Sequence, residues 1–326
     1  MSRSPESSHD RGAPGGPFSG RRCPVILGPT AVGKTGLITS LAKRHPVEVI
    51  SLDSRQIYHG LRIGTAQPTP EELAVCPHHL VDFVSPTEKY DAIRFRQDFE
   101  RVYAEIVGRG GAPVLVGGAG MYLTALRDGF MEIPGSSPER LAEVRNDLDR
   151  LSDAEVRSRL EKIDPESFTR IHANDRYRSQ RALEIFEISG RSMSALKTNQ
   201  ESEPALGLEF PTFVLERPVE ELDERICRRT RVMLYNGWIE ETKTALVQYP
   251  ANCPGLLSLG YREIVRFLKG DLAEIELESA IVLITRQYAK RQRTWFRHVA
   301  CEFSGRPESE ILRSKIREII DGEIQP

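Results

Sequence analysis

Long apolar runs are missing from this chain. No stretch of about 18 apolar residues occurs, so no transmembrane helix is expected. Residues 1–20 hold Ser, Pro, Gly and mixed charge without an apolar stretch, which excludes a signal peptide and predicts a disordered tail. Cysteine is sparse: Cys23, Cys76, Cys227, Cys253 and Cys301 are scattered, odd in number and never in a C-x-x-C pair. That pattern argues against a structural zinc site and for a reducing, cytoplasmic setting. An excess of one charge is also missing. Forty-five Lys and Arg stand against 47 Asp and Glu, a net charge of −2, so the whole chain is not a basic nucleic-acid binder. No internal repeat is visible. What is present, 39% hydrophobic and 28% charged residues over 326 positions, fits a soluble globular protein with one large or two modest domains.

The cations are unevenly placed. Arg286, Lys290, Arg291, Arg293 and Arg297 lie together without an acid, as do Arg225, Arg228, Arg229 and Arg231. Arg176, Arg178, Arg181 and Arg191 are opposed only by Glu184 and Glu187. Any one segment reads equally as a solvated helix face. Three on a near-neutral chain predict one positive face for an anionic partner.

The most specific local signal is Gly28-Pro29-Thr30-Ala31-Val32-Gly33-Lys34-Thr35, the P-loop spacing. A short apolar strand, Pro24–Leu27, precedes it, and a helical segment, Gly36–Lys43, follows. In such a loop the backbone amides face phosphate oxygens and the helix N-terminus adds partial positive charge. Lys34 is placed to reach a phosphate, and the Thr35 hydroxyl to ligate Mg²⁺. The loop alone does not name the phosphate compound.

Val47–Leu52 and Ala112–Val116 read as further strands, with a helix over Ala92–Val107 between them. Strand–helix alternation after a P-loop predicts an α/β fold, a P-loop NTPase-like parallel sheet flanked by helices. Pro211–Leu215 reads as a later strand; Glu220–Gln248 and Ala280–Ala300 read as helices. Pro138 to about Lys197 is charged and helical with no strand signal, broken at Asp164-Pro165 and Ser189-Gly190, and 198–207 looks like its exit loop. The expected organisation is a tail over 1–20, an α/β core over 21–136 and 206–326, and an all-helical insertion domain over 137–205.

Asp53 ends the second strand. Ligands of open parallel sheets lie at the carboxyl ends of strands, so Asp53 is expected to share a crevice with Lys34. There it acts as a base or holds Mg²⁺ through water, or else it caps the next turn. The third strand ends Gly117-Gly118-Ala119-Gly120, without the acid of a P-loop ATPase. Its small residues allow close approach of backbone or substrate. The missing acid leaves room for chemistry in which diphosphate is a leaving group. In Thr285–Arg297, cations and aromatics are interleaved, which suits phosphate contact with some stacking. Trp295 and Phe296 are expected in the core.

Ordered motifs over roughly residues 24–300 carry a resemblance. They are Gly28–Thr35, Ile50–Tyr58, Ile63–Ala66, Pro77–Leu80, Val116–Tyr122, Asn174-Asp175 with Gln180–Glu184, Leu259–Arg262 and Thr285–Arg297. In that order the chain resembles the tRNA dimethylallyltransferases. The resemblance implies transfer of a dimethylallyl group from dimethylallyl diphosphate to N6 of adenosine 37 in the tRNA anticodon stem-loop. It implies Mg²⁺ as cofactor, a cytoplasmic monomer and no membrane. It places diphosphate on Gly28–Thr35 and, more loosely, Arg225. It makes Lys34, Thr35 and Asp53 catalytic, Asp53 being the base. It sets Asp53, Ser54, Arg55, Gln56 and Ala119 beside the base of the tRNA, and Tyr177, Arg178, Ser179, Gln180, Arg181, Gly260, Tyr261 and Arg262 against the tRNA.

There are departures. The family usually has Thr at Ala119 and Lys at Gln67, and the absence of a C-terminal zinc finger points to a bacterial form. Two other classes stay open: a P-loop kinase of a small metabolite using ATP, which leaves the basic segments unexplained, and a non-catalytic RNA-binding module. Transfer to free AMP is a close cousin, disfavoured by the helical insertion and its basic segment.

Overall fold

The computed structural model describes residues 16–130, 133–198 and 203–324. The chain forms two compact units, one of residues up to Arg127 together with Pro204 onward, the other Asp128–Glu203. The helical unit thus runs over 128–203 rather than the expected 137–205.

The first unit is built on six parallel strands: β1 Val25–Leu27, β2 Val47–Leu52, β3 His78–His79, β4 Ala112–Gly117, β5 Thr212–Leu215 and β6 Phe303–Gly305, in the order β3-β2-β4-β1-β5-β6. Val and Ile dominate the central strands because their branched side chains fit a pleated surface. Both faces are covered, so the strands read as apolar runs. On one face Ile26, Val49, Val114 and Phe213 pack with helices α1 Lys34–Ala42, α11 Val219–Tyr235 and α15 Glu310–Ile324. On the other, Leu27, Ile50, Leu52 and Leu115 pack with Phe95, Phe99 and Tyr103 of α4 Ala92–Gly108 and with Leu123 of α5 Gly120–Asp128. Asp91 starts α4 by accepting from the Arg94 amide. Between β2 and α4 lie the short helices α2 Arg62–Thr65 and α3 Pro70–Val75.

A third apolar cluster gathers Ile57, Leu61, Trp238, Tyr261 and Ile281, joining the segment after β2 to helices α12 Trp238–Gln248, α13 Tyr261–Leu268 and α14 Glu274–Phe296. The single helix expected over Glu220–Gln248 is two, α11 and α12. Asn236-Gly237 separates them, because Gly237 has φ 97°, which a helix cannot contain. Strands β3 and β6 were not expected.

The second unit is all helix: α6 Pro138–Asp149, α7 Asp153–Ile163, α8 Pro165–Arg170, α9 Arg176–Ser189 and α10 Met193–Thr198. Val144, Leu148, Val156, Leu160 and Leu183 form its own core. The two anticipated breaks fall at helix ends. Asp164 caps α8 through the Ser167 amide, and Gly190 ends α9 at φ 67°.

Of the expected tail, residues 1–15 lie outside the described residues. Residues 16–20 are a structured turn, which corrects the sequence boundary. Phe18 sets its ring edge on Tyr103, and the Gly20 amide donates to Gly207 O at 3.0 Å. Of the exit loop, 199–202 lie outside the described residues and Ala205–Gly207 form a 3₁₀ turn. Among the described residues no helix is long and apolar enough to cross a membrane.

Candidate functional site

The loop from β1 to α1 turns through Ala31 at φ 64° and Gly33 at φ 110°. It delivers the first turn of α1, whose Lys34, Thr35 and Gly36 amides donate to no protein acceptor among the described residues. Unpaired amides and the positive end of the helix dipole together make an anion cradle. Not every loop amide takes part, which corrects the sequence expectation for Gly28, Thr30 and Val32. The Gly28 amide donates to Gly117 O, that of Thr30 to Gln292 Oε1 at 2.9 Å, and that of Val32 to Pro29 O. The loop uses these bonds to hold its own shape.

Four cations meet the same loop. Lys34 Nζ donates to Gly28 O at 2.8 Å and Pro29 O at 3.1 Å. Arg225 Nε donates to Ala31 O at 2.7 Å, Arg217 Nε to Val32 O at 2.6 Å, and Arg229 Nη1 to Thr30 Oγ1 at 3.3 Å. Burial brings the Lys34 ammonium down to about 8, partly opposed by Asp53. Burial likewise lowers Arg225 and Arg229, and neighbouring arginines add to this. Arg217 is already paired with Glu221 and Glu308, whereas Lys34, Arg225 and Arg229 form a concentration of partly desolvated cations that is costly until an anion neutralises it.

Asp53 follows β2, at the same carboxyl edge of the sheet. Its charge bears on Lys34, Arg229, Tyr122 and Tyr288, so these groups lie near one another at this edge. Oδ1 accepts from the Arg55 amide at 2.7 Å and the Gln56 amide at 3.2 Å. The capping role considered from sequence is therefore real. It also fixes the carboxylate, and Oδ2 accepts from nothing among the described residues. Arg55 is exposed, and its Nη1 lies 3.3 Å from Pro254 O. Ser54 is half-buried beside it.

Strand β4 ends without a carboxylate, and its small residues admit the protein itself. Gly118 N–H and Ala119 N–H both donate to Leu52 O at 3.0 Å. A Cβ on Gly118 would stand 2.1 Å from Gln292 Nε2. Ala119 O accepts from the Leu123 amide, which makes Ala119 the residue that opens α5. As expected, Phe296 is buried; Trp295 is half-buried and packs on Gly120.

Several sequence-predicted contact residues are turned inward. Tyr261 is fully buried, its hydroxyl donating to Glu241 Oε1 at 2.6 Å and accepting from the Gly64 amide at 3.1 Å. Gly260 has φ 86° and lies under Trp238, where a Cβ would come within 2.1 Å. Of that motif only Arg262 is exposed. Gln56 is held by Ser51 Oγ and donates to Ala66 O at 2.7 Å. Gln67, in the place of the usual lysine, donates to Gln56 O and Tyr58 O, both at 2.9 Å.

In the helical unit, Ser179 is buried in the core, and Gln180 Nε2 is 3.1 Å from both Leu148 O and Asp149 Oδ1. Arg181 pairs with the buried Glu184, which also binds Arg145 Nε at 2.9 Å. Arg176 pairs with Asp153. Tyr177 and Arg178 are exposed, Arg178 pairing with Asp175. The basic segment on α9 is thus largely neutralised by its own unit, and two of its residues face outward.

Arg217, Arg229, Gln292, Tyr122 and Tyr288 were not assigned to the site from sequence. Arg217 had one available signal, since it follows β5 at the carboxyl edge. Tyr288, Gln292 and Trp295 are spaced i, i+4, i+7, one stripe of α14. Among the described residues no group of three or more His, Cys, Asp or Glu is placed to hold a metal.

Comparison with known proteins bears on this arrangement. The model of the family described as IPP transferase matches residues 56–299, and that of isopentenyl transferase matches 22–82. The chain is 40% identical over 277 residues to a tRNA dimethylallyltransferase of Chromobacterium violaceum, covering 84% of this chain and 85% of that one. It is similar to the crystal structure of a tRNA isopentenylpyrophosphate transferase from Bacillus halodurans, with TM-score 0.65 and 33% identity over 93% of this chain and 96% of that one. It is also similar to a eukaryotic dimethylallyltransferase captured acting on tRNA, with TM-score 0.72 and 29% identity over 85% of this chain and 70% of that one.

Proposed function

This chain belongs to the IPP transferase family, and we propose that it moves a dimethylallyl group from dimethylallyl diphosphate to N6 of adenosine 37 in the tRNA anticodon stem-loop. The observation that carries this is the nearness of Asp53 to Lys34 at the carboxyl edge of the sheet, where β4 supplies no acid. On this reading the cations and amides stabilise a leaving diphosphate, and the carboxylate takes the proton that the amine gives up.

In the reaction the allylic C1–O bond breaks, and diphosphate leaves with the electron pair. The N6–C1 bond forms, and the N6 proton passes to Asp53. An allylic carbon tolerates early bond breaking because its positive charge delocalises. Lys34, Arg225 and the first amides of α1 stabilise the charge that develops on diphosphate. Asp53 orients the amine through Oδ2, its other oxygen being fixed by the turn. Adenine must leave its stack to enter the crevice. On this reading Ser54, Arg55 and Ala119 line its route, and the exposed Arg178, Tyr177 and Arg262 are offered to the RNA.

Mg²⁺ fits the donor set. Thr35 offers an exposed hydroxyl at the first turn of α1, and this small, hard cation takes few protein ligands beside phosphate oxygens and water. Bound there, it supplies charge neutralisation to the leaving group. The enzyme works in the cytoplasm as a monomer. The relatives are named as transferases acting on tRNA, so the small-metabolite kinase is set aside.

The test is transfer of label from dimethylallyl diphosphate to tRNA with Mg²⁺, beside AMP as acceptor and an ATP-turnover control. Label on tRNA alone is expected. ATP turnover with unlabelled tRNA would overturn the assignment.

A further inference from the structure

We propose that Gln292 is a positioning residue for the diphosphate loop, one that sets donor affinity without touching the donor. The inference rests on the diphosphate reading above. Gln292 is buried, 7% exposed, on the face of α14 that also buries Ala289 and Phe296. An amide in such a place is costly unless both its ends are paired. Both are: Oε1 accepts from the Thr30 amide at 2.9 Å, and Nε2 donates to Gly118 O at 3.3 Å. One side chain therefore ties the loop after β1 to the end of β4.

The tie is placed to matter. Thr30 precedes Ala31 and Val32, whose carbonyls receive Arg225 and Arg217, and its own hydroxyl receives Arg229. If Thr30 moves, these arginines lose their registration on the loop. The amide is also sterically fixed. Gly118 leaves no room for a Cβ beside Nε2, and Trp295, three residues on, is wedged on Gly120. Preorganised donors are what make such a loop bind tightly, because no reorganisation is needed when the anion arrives. A glutamine serving only the core would change thermal stability and leave the donor affinity of the folded protein alone.

Two variants reach the same contact from opposite sides. Gln292→Leu removes both hydrogen bonds. Gly118→Ala keeps the glutamine but puts a Cβ on its amide. Calorimetric titration with Mg²⁺-diphosphate and with the unreactive thiolodiphosphate analogue of the donor reads the affinity. tRNA affinity and the melting temperature are measured on the same preparations. Each variant should raise the donor Kd by about 10- to 100-fold and leave the tRNA Kd within about twofold. The double variant should be no worse than the weaker single, because coupled changes do not add. A donor Kd within about twofold of wild type in Gln292→Leu, or single effects that multiply, overturns the inference alone. Wild type that binds no diphosphate overturns the diphosphate reading as well. If Gln292→Leu does not fold, Gly118→Ala decides by the same thresholds.

Discussion

Lys34 Nζ donates to Gly28 O at 2.8 Å, so the one lysine of the loop is parked on the loop's own backbone. Burial holds its pKa near 8. An anion on the cradle must raise that value, and linkage then fixes the sign. Below pH 8 the free protein already carries the charge, and diphosphate binding is strongest. Above pH 8 binding must take up a proton, and affinity falls by up to about tenfold per pH unit. Calorimetric titration with diphosphate between pH 6.5 and 9.5 should show a break near 8 that Lys34→Met removes. A break that survives in Lys34→Met belongs to another group.

Asp53 holds its turn through Oδ1 and is proposed to do chemistry through Oδ2. Asn separates the two roles. Asp53→Asn keeps an acceptor for the Arg55 and Gln56 amides but cannot take a proton at neutral pH. Diphosphate affinity should stay within about twofold, while single-turnover transfer drops by about 10²- to 10⁴-fold. Asp53→Ala should lose transfer as well. Transfer by Asp53→Asn within a few fold of wild type would show that the proton goes elsewhere.

The resemblance sets Gly260, Tyr261 and Arg262 against the tRNA, yet Tyr261 lies beneath the surface. Its hydroxyl joins Glu241 to the Gly64 amide, and Glu241 also accepts from the Arg62 and Ile63 amides at 2.8 Å. Tyr261→Phe should therefore cost about 1–2 kcal/mol, because the half-buried Glu241 loses a donor, while the Gly64 amide keeps its longer bond to Glu241 Oε1 at 3.2 Å. In a unit of this size that is a fall of a few degrees in melting temperature. tRNA affinity should not change at temperatures where the variant is folded. Weakened tRNA binding with unchanged stability would restore the contact.

The difference between Asp53 and Tyr261 shows what was legible. Lys34, Thr35 and Asp53 come from short segments directly after strands, and a strand end in a parallel sheet is already a position in space. The same logic placed β1, β2, β4 and β5. Gln292 and Arg217 reach the loop from 262 and 185 residues away, and local periodicity says nothing about that pairing. Strands of two and three residues, β3 and β6, are too short to show an alternation. A motif is also silent on which way its residues face. Gly260 and Tyr261 are packed under Trp238, and in the same stretch Arg262 is exposed.

Helix α9 makes the last case, because its arginines divide into two kinds. Arg178 is 72% exposed and, among the described residues, its side chain pairs with its neighbour Asp175 alone. Such a pair is worth little, so the guanidinium is available to a phosphate. Arg178→Ala should weaken tRNA binding and reduce the slope of log K against log salt by about one. Arg181 instead pairs with Glu184, a carboxylate 6% exposed. Removing it leaves that buried charge with Arg145 alone, a cost of about 1–2 kcal/mol, less than for a fully orphaned charge. Arg181→Ala should then unfold the helical unit earlier, with its salt slope kept. Salt-dependent filter binding and thermal melts on both variants decide between the roles. An unchanged slope in Arg178→Ala takes the exposed face of α9 out of the RNA interface.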